Sequence, residues 1–96
     1  MRLDLTEEAR TDLDDILAYS VKNWGVYRGF AYVEDIRDVM DVMLERVSPG
    51  GAAEDVTTGL RRQFAGSHSI WFRLNGERLV VLRVLHQSRD AGRWVE

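Results

Sequence analysis

The sequence predicts a single α+β domain spanning residues 1–96, with elements in the order β-α-α-β-β-β and a helical hairpin packed on one face of a small, antiparallel-rich sheet. Apolar residues recur at helical spacing through the first half of the chain. The runs Ser67 to Leu74 and Arg78 to Leu85 are rich in β-branched, aromatic and aliphatic residues and are separated by Asn75-Gly76. Helical and strand patterns are segregated along the chain rather than alternating, which favours α+β over a parallel α/β arrangement.

Arg2 to Leu5 alternates as a short first strand, whose neighbour in the sheet the sequence leaves open. Thr6 is placed to cap the first helix, with Glu7 and Glu8 in the turn where the helix dipole favours acids. Ala9, Leu13, Ile16, Leu17 and Ser20 form its apolar face, Val21 and Trp24 continue the edge, and Arg10, Asp12, Asp14, Asp15 and Lys22 lie elsewhere. Trp24-Gly25 ends this helix. A second pattern runs from Val26 to Val47 through Phe30, Val33, Ile36, Met40, Met43 and Leu44, and the short junction makes the two helices antiparallel. The Met40/Met43 and Tyr27/Phe30 pairs read as packing residues, and Pro49-Gly50-Gly51 as the stop. Ser48 to Thr58 is a polar connection.

The stretch from Gly59 to Arg93 then reads as three consecutive strands with a basic tail. With Asn75-Gly76 as the loop, Leu74 faces Glu77, Phe72 faces Leu79, Ile70 faces Val81 and His68 faces Arg83. One side of this hairpin carries Ile70, Phe72, Leu79, Val81 and Leu85. The other carries Trp71, Arg73, Val80, Leu82, Val84 and His86.

Composition narrows the chemistry. A chain of this length buries roughly 60–65% of its unfolded surface, enough for one modest core. There is no cysteine and there are two histidines, so neither a disulfide framework nor a metal centre is expected. No apolar run approaches the ~20 residues a bilayer requires and no signal region follows Met1-Arg2, so the expectation is a soluble cytoplasmic protein. The net charge of −3 is unevenly spread: residues 1–55 hold 6 Lys/Arg against 13 Asp/Glu, whereas residues 56–96 hold 7 Arg against 3 acids. Twelve of the 13 basic residues are arginine, whose planar fork suits carboxylate or phosphate, so the second half is expected to meet an anionic partner.

Nucleotide-binding, metalloprotease, hydrolase-elbow and redox motifs are all absent, and no cofactor is expected. Ser67-His68-Ser69 superficially suggests acyl transfer. Neighbours along a strand point to opposite faces, however, so His68 is expected to be structural. His86 closes the last strand beside Gln87, Ser88, Arg89 and Asp90, where a strand-end hydrogen bond is the simpler role and acid/base work the bolder one.

The segments GLRRQFAGSHSIWFR and LVVLRVLHQSRD, preceded by EEARTDLDDILAYSVKNWG, resemble toxins of the ParE branch of the RelE/ParE superfamily over nearly the whole chain. The resemblance implies a bacterial type II toxin–antitoxin toxin, associated with plasmid maintenance, that is neutralised by a ParD-like antitoxin and traps the cleaved-DNA complex of DNA gyrase. It implies an inhibitor without a catalytic site of its own. Candidate target-binding residues are Arg61, Arg62, Trp71, Arg73, Arg83, His86, Arg89, Arg93 and Trp94, with Trp71 also a core candidate and Arg83 a candidate to pair with an acid of the second helix. The sharper alternative is a RelE-like ribosome-dependent mRNA endonuclease, for which Arg61, Arg62, Arg83, His86, Arg89 and Arg93 would orient the 2′-hydroxyl and phosphate. The only lysine is Lys22, no tyrosine follows Tyr32, and net acidity opposes entry into ribosomal RNA, so gyrase is favoured. A third reading is an inactive homologue that only binds antitoxin.

Overall fold

The computed structural model describes residues 1–46, 50–52, 59–89 and 91–94. Its elements are β1 (Arg2–Leu5), α1 (Glu7–Trp24), α2 (Val26–Leu44), β2 (Gly51–Ala52), β3 (Arg61–Ala65), β4 (His68–Asn75), β5 (Arg78–His86) and α3 (Ala91–Trp94). The sheet order is β1-β5-β4-β3-β2. The expected α+β class and helical hairpin are present, with two short additions: β2, at a sheet edge inside the stretch read as a connection, and α3 in the basic tail. Two residues of strand and four of helix carry too little periodicity to stand out in a sequence.

Thr6 caps α1 as expected, its hydroxyl accepting from the Ala9 N–H at 3.1 Å. The same hydroxyl donates to the Leu82 carbonyl at 2.7 Å, so the cap also ties α1 to β5. β1 lies parallel to β5, with Leu3 opposite Leu79 and Leu5 opposite Val81, and its partner strand is thereby settled. A parallel pairing needs a long crossover, which the intervening helices and strands supply.

α1 and α2 pack closely at Gly29. A Cβ there would stand 2.7 Å from the Val21 backbone nitrogen. The buried stripe of α2 therefore runs through Gly29, Val33, Ile36, Met40 and Met43. This bears out the methionine pair and corrects the Tyr27/Phe30 pair: Tyr27 is 88% exposed and Phe30 53%, because both lie off the stripe that Gly29 begins. The helix ends at Leu44, earlier than expected, with Glu45 as its C-cap. Val47 and Pro49 lie outside the described residues.

The β4–β5 register differs from the expected one. Asn75 pairs with Arg78, Leu74 with Leu79 and Phe72 with Val81, so the two-residue loop is Gly76-Glu77 rather than Asn75-Gly76. Of the two loop residues Gly76 has positive φ, +61°, and Glu77 does not, as a Gly-X turn of type II′ requires. β3 and β4 are joined in the same way through Gly66-Ser67, with Gly66 at +58°, so Ser67 is the second turn residue rather than the start of the strand.

A bulge then separates Phe72, opposite Val81, from Trp71, opposite Arg83, leaving Leu82 as the extra residue. One inserted residue inverts the alternation beyond it. Val84 accordingly joins Ile70, Phe72, Leu79 and Val81 in the main core beneath the helices, while Leu85 joins Leu60 and Trp71 in a second cluster against which Leu82 packs. The expected faces of Val84 and Leu85 are thus exchanged. Among the described residues no helix is long and apolar enough to cross a membrane.

Candidate functional site

A cleft of about 580 Å³ opens where α1 and the start of α2 meet the ends of β4 and β5 and the short α3. Asp12, Asp15, Ile16, Tyr19, Ser20, Trp24 and Tyr32 form its helical wall, and Ser67, His68, Arg83, Val84, Leu85, His86, Arg89 and Trp94 form the other. Edge-to-face contacts run through it in series: Tyr19 to Trp24, Trp24 to Tyr32, Tyr32 to His68 and His68 to His86, with centroids 5.4–6.2 Å apart.

Hydrogen bonds set the polarity of this row. The Ser67 N–H donates to Tyr32 Oη at 3.0 Å, and the same oxygen hydrogen-bonds His68 Nδ1 at 2.6 Å. His86 Nδ1 receives the Ser88 N–H at 3.1 Å and lies 2.8 Å from Ser88 Oγ, so Nε2 is the proton-bearing nitrogen of that ring. Burial, reinforced by His86 and opposed by Asp12, lowers the His68 pKa from 6.5 to about 4. The ring is therefore neutral at physiological pH, tied by Tyr32 as a structural histidine would be and yet lining the cleft.

The sign of this shift makes a prediction. A histidine whose folded pKa is depressed contributes stability above its unfolded pKa of 6.5 and loses it as pH falls towards about 4, since only the unfolded chain takes the proton readily. The full linkage is discounted because the ring retains some solvent contact, which leaves about 1–2 kcal/mol. Urea midpoints between pH 7 and pH 4.5 should fall more steeply for the parent than for His68→Gln. Parallel slopes would refute the assignment.

Arg83 does not address an acid of α2. Its Nε and NH2 donate to the two Asp12 carboxylate oxygens at 2.7 and 2.8 Å, and its NH1 donates to the Trp94 carbonyl at 3.2 Å. The Asp12 hydrogen bond holds the Arg83 pKa above its ordinary value. Asp12 also accepts the Val84 N–H at 2.9 Å, a backbone donor beside the bulge. The site thus positions Arg83 through a feature of the sheet. Arg89 stacks on Trp94 at 4.7 Å and Arg83 approaches the same ring at 5.5 Å, so α3 serves as an aromatic rest for two guanidinium groups.

The nine candidates separate into two groups. Arg83, His86, Arg89 and Trp94 line the cleft, and Arg93 is exposed on α3 next to them. Arg61, Arg62, Trp71 and Arg73 lie on β3 and β4, outside the cleft. Trp71 is 4% exposed and its indole Nε1 has no acceptor among the described residues, a deficit worth about 1–3 kcal/mol. Sequence reasoning missed Asp12 and Tyr32. Both carried a usable signal: Asp12 stands three after Ala9 and four before Ile16, and Tyr32 three after Gly29 and four before Ile36, so each is a polar residue on a buried helical stripe. Among the described residues no cluster of acids and histidines fits a metal ion.

This architecture is found among toxin–antitoxin proteins. It matches a chain of the solved structure "Chromosomal ParDE TA system from P. aeruginosa" with a TM-score of 0.80 and 25% identity, covering 90% of this chain and 95% of that one. The family model for "ParE toxin of type II toxin-antitoxin system, parDE" matches residues 3–91, and the chain belongs to that family. It is 37% identical over 87 residues to Toxin ParE1 of Caulobacter vibrioides, covering 91% of this chain and 90% of that protein. It is 31% identical over 90 residues to Toxin ParE1 of Mycobacterium tuberculosis, covering 93% and 92%.

Proposed function

We propose that this ParE-family toxin acts in the bacterial cytoplasm by binding DNA gyrase and stabilising its cleaved-DNA complex, and that a ParD-like antitoxin neutralises it. The observation that carries the reading is the cleft's composition: Arg89 and Trp94 form an exposed, cationic and aromatic corner suited to anchoring a macromolecular target. Such an inhibitor needs no chemistry, only a higher affinity for one state of the target's cycle than for the others. Favouring the broken over the resealed state a hundredfold takes about 2.8 kcal/mol, within reach of a few desolvated arginine or tryptophan contacts. The antitoxin is assigned to the helical hairpin, where most of the acidic half lies, and to an exposed sheet edge that can accept a strand.

A second reading has one observation in its favour. Tyr32 reaches His68 in the same cleft as Arg83 and Arg89, so the tyrosine that an mRNA endonuclease needs is spatially present although it is distant in sequence. Against it, both Asp12 oxygens occupy Arg83, leaving Arg89 as the better-placed cation for a phosphate. Purified protein incubated with gyrase should therefore suppress supercoiling and accumulate cleaved DNA, and should leave ribosome-bound mRNA intact. Codon-specific cuts in mRNA with unaffected gyrase would overturn the proposal in favour of the nuclease.

A further inference from the structure

β3, β4 and β5 together contain five arginines and no aspartate or glutamate. Two of these arginines turn to acids elsewhere in the fold, Arg78 to Asp4 and Arg83 to Asp12. Arg62 has no carboxylate partner among the described residues. Its guanidinium instead lies over the Phe64 ring at 4.9 Å and the Trp71 ring at 5.2 Å. Arg62 and Phe64 are two apart on β3, and Trp71 pairs with Arg62, so the three side chains share the face on which the second cluster is built.

Phe64 leaves 54% of its surface exposed on a strand, where an aromatic ring gains nothing from solvent. Behind it, Trp71 is buried with an indole N–H that no acceptor among the described residues meets. A planar cation, an exposed ring and an orphan donor therefore adjoin one another on strands free of acids. Such a corner suits a strand whose base can stack on the exposed ring and whose phosphate can meet the guanidinium. A duplex does not fit this use, because its bases are stacked on one another and withheld from a flat protein face.

We propose that this face of the sheet binds single-stranded nucleic acid, with Phe64 as the stacking platform and Arg62 as the phosphate contact. The surface is separate from the cleft and does not require gyrase to be the target. It would equally hold a single strand exposed in any nucleic-acid complex the toxin enters.

The test is fluorescence anisotropy with a labelled, mixed-sequence DNA single strand of about 12 nucleotides, a length within the usual span of such sites. The parent should bind saturably. Phe64→Ala should weaken binding at least tenfold and Phe64→Tyr should restore it, while Arg62→Ala should weaken binding and lower the slope of log affinity against log salt by about 0.7. Tyr27→Ala, which removes an exposed ring from α2, should change nothing, and thermal melts confirm that each variant is folded. Absence of saturable binding, an unchanged affinity in Phe64→Ala, or an equal loss in Tyr27→Ala would overturn the proposal. So would an oligoglutamate peptide of the same length that binds as tightly with the same dependence on Phe64, since the face would then serve acidic polypeptides.

Discussion

Replacing Asp12 with alanine is expected to destabilise the protein by about 3 kcal/mol, the low end of the range for removing one partner of a buried ion pair. Three donors lose their acceptor at once: Arg83 Nε, Arg83 NH2 and the Val84 N–H. The side chains of Arg83 and Asp12 are 19% and 11% exposed, so water replaces little of what is lost. The low end applies because Arg83 keeps the Trp94 carbonyl. Replacing both residues by leucine should cost less than the single alanine, since no charge is then left without its partner. Urea unfolding of the two variants checks this, and an Asp12→Ala midpoint equal to the parent's would show that the bulge is held by something else.

Gly66→Val should also cost about 3 kcal/mol, roughly twice the effect of Gly76→Val, although both replace the first residue of a Gly-X turn with φ near +60°. The shared part is the left-handed backbone, which costs a β-branched residue about 1–2 kcal/mol. The difference lies in the surroundings. A Cβ at Gly76 meets nothing within 4 Å, whereas at Gly66 it stands 2.8 Å from Tyr32 Oη and 2.9 Å from Tyr32 Cε1. The Tyr32 ring cannot yield freely, because Ser67 and His68 hold its hydroxyl, so overpacking adds about 1–2 kcal/mol. Equal midpoints for the two valine variants would mean that Tyr32 swings away without loss, and the hydrogen-bonded row across the cleft would then be weaker than its geometry implies.

These two substitutions mark where the sequence was readable and where it was not. Thr6, the apolar face of α1, the Val33-to-Met43 stripe of α2 and the glycine needed at position 76 are local signals, and the structure follows them, whereas Phe30 falls off that stripe. The bulge at Leu82 is not local: nothing in LVVLRVLH distinguishes eight alternating residues from a strand with one inserted, and the register of β4 against β5 changes with it. Asp12 and Tyr32 were overlooked because each was judged by its own polarity, when their spacing already put them on buried stripes. The candidate pairing of Arg83 with an acid of the second helix fails for a related reason. α1 and α2 both offer acids, and only the crossover that sets β1 beside β5 brings Asp12 to Arg83. The candidate site was legible as a basic C-terminal end, but the helical wall that completes the cleft became visible only with the fold.

In the proposed arrangement the C-terminal wall of the cleft meets the target while the helical hairpin meets the antitoxin. Removal of residues Ala91 to Glu96 tests it most directly, because α3 carries Trp94, on which Arg89 rests, and adds little to the core. Growth on induction, read beside calorimetric titration with the cognate antitoxin, should show toxicity lost and antitoxin affinity held within roughly tenfold, about 1.4 kcal/mol. A truncated protein that stays toxic but no longer binds antitoxin would contradict the account, since the two walls would then have the opposite partners.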